Sequence, residues 1–296
     1  KFSRGSSLPQ KRKYQSFAFA KVNLTLRILS KLKHGYHRIQ SFIIFLNLKD
    51  KIQLSESGLR YDKIIFKGKF GKGINKKNNT IAKLLKILRG KGFLKNIFFK
   101  IIIEKQIPQG SGLGGGSSDA ASVLNILKKK YYLKISTKKA IDIASQVGFD
   151  VPLCIDYFKK IINSSNKRFV RSRINFSFFL LLVYPNFKNS TRRIYQLNNL
   201  FSRPNSKLTE TSLKNNLINI LKDDKNDLQT IMESKSKKIK DLIYSLSIQK
   251  NCLFSRMSGS GSACYGVFRN LHSAKRAKKL LKKYYPNYWS VVSKTR

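Results

Sequence analysis

From Phe17 the chain alternates: Val22, Leu24 and Leu26 fall on one side, Lys21, Asn23 and Thr25 on the other. A period of two predicts a half-buried strand that presents a lysine and an asparagine together. Further strand patterns follow at Ser41–Leu48, Lys51–Ser55, Asp62–Lys67 and Asn96–Glu104. Asn79–Leu88 has helical spacing, with Asn79 or Thr80 as N-cap. A second helix is predicted from Ser117 to about Tyr131, its stripe formed by Ala120, Val123, Leu124, Leu127 and Tyr131. A third spans Thr137–Val147 and is stopped by Gly148. Asn175–Tyr184 reads as a strand ended by Pro185, and a Lys/Asn-rich helical region fills 191–248, with loops near Pro204 and Lys222–Asp227. The chain closes with a strand (Asn251–Arg256), a glycine turn, a strand (Ala263–Phe268), a helix (Ser273–Tyr284) and a strand (Tyr288–Ser293). There is no internal repeat and no regular βαβ alternation, so the expected class is α+β, not a doubly wound sheet.

Composition narrows the choices. With 296 residues, 41% hydrophobic and 11% aromatic, the chain can bury a substantial core and is not intrinsically disordered. Its length suits two modest domains or one large one. Three widely spaced cysteines (Cys154, Cys252, Cys264) exclude a disulfide framework and fit a reducing compartment. A bacterial cytoplasmic location is expected over a plastid-type organelle. No apolar run approaches the roughly 20 residues of a membrane-spanning helix, so no membrane partner is expected.

Sixty-one Lys and Arg against 14 Asp and Glu give a formal charge of +47. Such a surplus invites a nucleic-acid reading, because phosphate neutralisation drives non-specific binding. The basic residues are nevertheless spread along the whole chain. The abundance of Lys, Asn, Ile, Phe and Tyr is the profile of an A/T-rich coding sequence. No zinc-finger spacing, RNA-binding aromatic motif or zipper heptad occurs, and no specific nucleic-acid partner is expected. Residues 1–14 (KFSRGSSLPQKRKY) read as a basic, disordered tail or the remnant of a transit peptide.

The strongest local signal for chemistry is the run Pro108, Gln109, Gly110, Ser111, Gly112, Leu113, Gly114, Gly115, Gly116, Ser117, Ser118, between a strand and an amphipathic helix. Five glycines let backbone N–H groups approach an anion without Cβ interference. The following helix adds its unpaired N–H groups and the positive end of its dipole. Ser117 or Ser118 can offer a hydroxyl to a phosphate or its metal. No Gly-Lys-Ser/Thr follows, so this is not a Walker loop, and no acidic residue is spaced for a dinucleotide fold. Phosphate binding is the expectation.

The loop P-x-G-x-G-L-G-G-G-S-S-D-A-A resembles the second signature of the GHMP small-molecule kinases. Three further blocks occur in that family's order: A-F-A-K-V-N-L (Ala18–Leu24) with H-G-Y-H (His34–His37), G-F-D-V-P (Gly148–Pro152) and R-M-S-G-S-G-S-A-C (Arg256–Cys264). The resemblance covers nearly the whole chain. It implies a first domain like the second domain of ribosomal protein S5 (15–158, binding ATP) and a ferredoxin-like second domain (159–296, binding substrate). It also implies ATP and Mg²⁺ as cofactors, and a monomer or homodimer.

Lys21 and Asp150 match the family's catalytic pair. Read without the resemblance, Lys21 is one more exposed lysine and Asp150 a turn-capping residue; Pro152 biases Val151 towards extended backbone. Asn79 resembles the asparagine beside the adenine pocket. Tyr36 and His37 match positions that stack on and hydrogen-bond a cytosine, and Asn23, Ser258, Gly259, Ser260 and Gly261 match the substrate side. Asp119, in the first helical turn, is expected to complement the helix dipole. The H-x-x-H pair of His34 and His37 lacks further ligands for zinc. The Gly-Tyr-His spelling implies phosphorylation of the 2-hydroxyl of 4-(cytidine 5′-diphospho)-2-C-methyl-D-erythritol by ATP. The alternatives are another GHMP kinase, of the homoserine or mevalonate class, and a basic nucleic-acid-binding protein on the same scaffold. Phe19, Phe149 and Leu153 depart from the family's usual Pro, Ala and Phe. Residues 156–173 lack its glycine-rich strand and turn, which leads us to expect an altered substrate side.

Overall fold

The computed structural model describes residues 12–165 and 168–296. Most of the expected tail lies outside the described residues; Tyr14 already belongs to a strand, where it faces Leu54.

Eleven strands and eight α-helices are described, in two sheets. The first sheet is built around one long strand. β1 (Tyr14–Asn23) and β2 (Arg27–Lys31) both pair antiparallel with β3 (His37–Glu56). β4 (Lys63–Lys67) enters parallel to β5 (Phe99–Glu104), a pairing that needs a crossover, and α1 (Thr80–Gly90) supplies it. α2 (Gly115–Lys130) and α3 (Thr137–Val147) complete the helical layer. Leu84, Leu85 and Leu88 of α1 and Leu124 and Leu127 of α2 share a buried core with Ile101 and Ile103 of β5.

Two strand predictions, Ser41–Leu48 and Lys51–Ser55, merge into the single β3 of 20 residues. The break in its pattern has a physical cause. The β1–β3 register jumps from Phe19↔Lys49 to Lys21↔Phe45, so β3 bulges there. At the bulge, Leu46 bridges Thr295 and Leu48 N–H donates to Ser293 Oγ (2.9 Å). The bulge is where the end of the chain docks.

Residues 160–171, expected to open the second domain, join the first sheet instead. β6 (Lys160–Ser165) pairs with β3, and β7 (Arg168–Arg171) pairs with β6. Burial of Lys160 beneath this hairpin is offset by Asp156 Oδ1 (2.5 Å) and by the carbonyls of Asp156 (3.0 Å) and Phe158 (2.9 Å).

The second sheet is antiparallel in the order β11–β8–β10–β9: β8 (Phe179–Tyr184), β9 (Cys252–Met257), β10 (Cys264–Phe268) and β11 (Trp289–Lys294). Around it lie α4 (Thr191–Gln196), α5 (Glu210–Asp223), α6 (Asp227–Lys235), α7 (Lys237–Ser247) and α8 (Leu271–Tyr284). A second core joins the two sheets: Val22, Leu24, Phe42 and Ile44 of the first pack with Leu180, Leu182 and Tyr265 of the other. β1 is therefore not half-buried as its alternation predicts. Lys21, Asn23 and Thr25 are buried on one side and Val22 and Leu24 on the other. A buried lysine needs a partner, and this requirement defines the site.

Candidate active site

β1 delivers Lys21 to the glycine loop backbone first. Lys21 N–H donates to Leu113 O (3.0 Å), and the side chain runs past Gly114 so closely that a Cβ there would sit 2.6 Å from its Cγ. The ammonium ends 3.0 Å from Asp150 Oδ2 and donates to Asn23 Oδ1 (2.6 Å). Asn23 Nδ2 in turn donates to Ser41 Oγ (2.9 Å), which fixes the amide. The Lys21 side chain is 5% exposed and that of Asp150 31%, so the carboxylate faces solvent while the lysine backs it.

Asp150 sits where α3 gives way to a short 3-10 turn, Pro152–Cys154. Val151 is not extended, as the following proline predicts; its φ/ψ of −63°/−41° is helical. Its side chain is fully buried, Val151 N–H donates to Gly148 O (3.2 Å), and Cys154 N–H returns to Val151 O (3.1 Å). Packing and two turn hydrogen bonds outweigh the local bias, and proline is tolerated at the first helical position.

The loop itself is shorter than the sequence predicts, because α2 begins at Gly115 and not at Ser117. Gly114, left-handed with φ 70°, is the N-cap, and Ser118 N–H makes the first helical bond to its carbonyl (2.9 Å). The N–H groups of the first turn are thus free of helical partners at the loop's edge. Ser118 is buried and its hydroxyl points to Tyr157 OH at 3.5 Å, whereas Ser117 is half-buried. Of the two serines, Ser117 is the more accessible at this edge of the loop. Ser111 Oγ closes the turn on Pro108 O (2.7 Å), and Gln109 Nε2 donates to Phe70 O (2.7 Å). Asn79 spends its side chain on capping: Oδ1 accepts from Ile81 N–H (3.0 Å) and Ala82 N–H (2.9 Å). The neighbouring Thr80 hydroxyl donates to Gly116 O (2.7 Å), which places α1 against the start of α2.

The second glycine turn lies directly against the first. A Cβ on Gly112 would fall 2.1 Å from Ser258 O, so only glycine permits the approach; Ser258 Oγ donates to Gly112 O (3.1 Å). Gly259 lies over the pair, its Cβ position 3.2 Å from Asn23 Oδ1 and 3.6 Å from Lys21 Nζ. Ser260 Oγ is 2.9 Å from Thr191 Oγ1, and Gly261 N–H closes the turn on Ser258 O (3.0 Å). Asn226, which the sequence reading did not single out, carries this turn: Nδ2 donates to Met257 O and Gly259 O, both 2.8 Å, while Oδ1 caps α6. Buried Arg256 donates to Leu24 O, Leu221 O and Asp224 O, tying β9 to the end of β1.

Tyr36 and His37 lie at the start of β3. The Tyr36 ring, 58% exposed, is nearly parallel to Phe149 (6.1 Å, 15°), the residue before Asp150. His37 is buried and meets Tyr195 of α4 at 5.3 Å. Burial, aided by the positive charge of Lys31, lowers the His37 pKa. The ring is therefore neutral at pH 7, with one nitrogen donating and one accepting. Tyr195 was also missed by sequence reading. Burial first, then the charge of Asp150, pushes its phenol well above the ordinary value. Asp119 does not simply answer the helix dipole, as expected; it is buried and paired with Lys105 (2.6 Å).

Two abutting glycine turns, a helix N-terminus and a lysine–aspartate pair describe a phosphotransferase site of the kind the four sequence blocks imply. The family descriptions GHMP kinases N terminal domain and GHMP kinases C terminal match residues 79–156 and 208–287. The chain belongs to the GHMP kinases. A 4-diphosphocytidyl-2-C-methyl-D-erythritol kinase from Pelagibacter ubique is 38% identical over 94% of this chain and 97% of its own length. The enzyme of that name from Caldanaerobacter subterraneus is 35% identical over 94% and 95%. A crystal structure of 4-(cytidine 5′-diphospho)-2C-methyl-D-erythritol kinase superposes with a TM-score of 0.76 at 23% identity, covering 95% of this chain and 99% of that one. A mevalonate kinase from L. major superposes at 0.73 with 14% identity, covering 97% of each chain, so the fold is shared beyond one substrate class. No helix among the described residues is long and apolar enough to cross a membrane.

Proposed function

We propose that this chain transfers the γ-phosphoryl group of ATP to the 2-hydroxyl of 4-(cytidine 5′-diphospho)-2-C-methyl-D-erythritol, with Asp150 as general base. The observation that carries the reading is the Lys21–Asp150 pair, 3.0 Å apart and packed against the glycine loop. An alcohol is a poor nucleophile at neutral pH. Asp150, partly exposed, accepts its proton as the new oxygen–phosphorus bond forms and the bond to the β-phosphate oxygen breaks. Lys21 is held by Asn23 and its own backbone; its ammonium, 3.0 Å away, orients Asp150, and its charge offsets that of the transferring group. Backbone N–H groups at the start of α2 cradle the phosphates of ATP. Mg²⁺ neutralises phosphate charge when bound, and Ser117, the accessible hydroxyl at that edge, is the residue that would hold it. At the other end, Tyr36 offers an exposed ring for the cytosine. Neutral His37 matches a base edge that both donates and accepts.

The test is ADP release measured with ATP and Mg²⁺ against the cytidyl-methylerythritol substrate, homoserine and mevalonate in turn. Turnover with the first alone, competed by a cytidine nucleotide, is expected. Turnover with homoserine or mevalonate, uncompeted by cytidine, would overturn the substrate assignment.

A further inference from the structure

One cluster of buried charge takes no part in the chemistry above, and it lies directly beneath the first glycine loop. Asp50 in the middle of β3, Lys105 after β5 and Asp119 in α2 are all at least 98% buried. Asp50 Oδ1 accepts from the backbone N–H groups of Gln106 (2.5 Å) and Ile107 (2.9 Å), the residues through which the chain enters the loop. Its Oδ2 contacts Lys105 Nζ. The same ammonium donates to Asp119 Oδ2 at 2.6 Å, just past the loop's exit. Both ends of the loop are therefore tied to one cation. The start of the helix is seated on it as well: a Cβ on Gly115 would lie 3.3 Å from Lys105 Nζ and 3.0 Å from Ile107 Cγ2. The backbone of Lys105 is itself held, its N–H donating to Lys67 O (2.8 Å).

We infer that Lys105, Asp50 and Asp119 form a clamp that holds the glycine loop in its nucleotide-ready shape, so that Asp119 is a positioning residue for nucleotide affinity. The inference rests on the reading of this loop as the ATP-phosphate site. Its physical reason is entropy. Gly110, Gly112 and Gly114 all have positive φ, and glycine loses more conformational freedom on ordering than any other residue. A loop left loose would have to be ordered by the nucleotide at the expense of affinity; the clamp orders it in the folded protein. The pairing is also one that the surroundings do not replace. Asp119 Oδ1 has no hydrogen-bond partner among the described residues, which leaves Lys105 to compensate the buried carboxylate.

Lys105→Met would strand two buried carboxylates and is expected to unfold the protein. The informative variant is Asp119→Asn, which keeps shape and an acceptor but weakens the charge-assisted link, leaving the Asp50 side intact. Two readouts apply: the Kd of a non-hydrolysable ATP analogue together with both KM values, and amide hydrogen exchange. The clamp predicts roughly tenfold weaker analogue binding and a roughly tenfold higher KM for ATP, with the alcohol substrate's KM within about twofold. It also predicts about tenfold faster exchange confined to residues 110–116. Unchanged loop exchange, or exchange accelerated equally in α1 and α3, would overturn it, because a merely structural ion pair predicts the latter. Failure of the unmodified protein to bind the analogue would reject the nucleotide reading, and loop exchange would still report on the clamp.

Discussion

Replacing Gly114 by alanine tests whether the loop and the lysine form one unit. The residue has φ 70°, and its new methyl would sit 2.6 Å from Lys21 Cγ and 3.2 Å from Cε. Left-handed backbone costs an alanine about 1–2 kcal/mol. The clash cannot be relieved by swinging the lysine aside, because its N–H is bonded to Leu113 O and its ammonium to Asn23 and Asp150. Overpacking of this kind adds about 1–3 kcal/mol. The sum, about 2–5 kcal/mol, corresponds to a drop in Tm of roughly 3–8 °C for a chain of this size. Contact must open by about 1 Å, and a displacement of that size at a catalytic group costs on the order of 100-fold in rate. Differential scanning fluorimetry and ADP release read the two effects. Gly90→Ala is the control, since nothing lies within 4 Å of its added methyl; it should keep wild-type turnover and lose no stability. A Gly114→Ala protein with wild-type Tm and kcat would refute the packing of loop on lysine.

Three further outcomes follow from the same geometry. Arg256→Met removes the donors to Leu24 O, Leu221 O and Asp224 O, of which only Leu24 O keeps a second donor among the described residues, the Tyr265 hydroxyl, so urea unfolding should show a loss of about 2–5 kcal/mol. Phe149→Ala removes the ring beside Tyr36; if aromatic pairing contributes about 0.5–1.5 kcal/mol, the KM for the cytidyl substrate should rise about two- to tenfold with that for ATP unchanged. His37, its pKa lowered by burial and Lys31, favours the neutral form when folded. Its contribution to stability is therefore present above the unfolded value of 6.5 and lost as pH falls through the lower folded value. Melting curves from pH 8 down to 5 should show that loss in the wild type and a smaller one in His37→Gln.

Local pattern reached some features and not others, for reasons visible in particular residues. The α3 helix, Thr137–Val147, was legible because its apolar residues repeat at helical spacing between a serine cap and a glycine. The strand carrying Lys21 was legible as a strand, but its burial was not, because the second sheet that packs on Val22 and Leu24, through Leu180, Leu182 and Tyr265, comes from residues far along the chain. The 156–173 segment looked anomalous without its glycines; as a strand pair extending the first sheet, it depends on a lysine–aspartate contact that no periodicity reveals. The glycine turns, Lys21 and Asp150 could be found because spelling and order mark them. Tyr195 is a single aromatic in a Lys/Asn-rich stretch and carried no such mark. Lys105, Asp50 and Asp119 are joined across 55 and 14 residues. The one available signal was scarcity: with 14 acids in the chain, each in an apolar setting called for a partner.

The most direct test of the central claim is substrate-dependent ADP release by Asp150→Asn beside the wild type, with ATP binding measured on both. The account predicts that turnover falls at least about 100-fold while nucleotide affinity stays near the wild-type value. Turnover within a few-fold of wild type in a protein that still binds ATP would contradict it, and the base would have to be sought elsewhere.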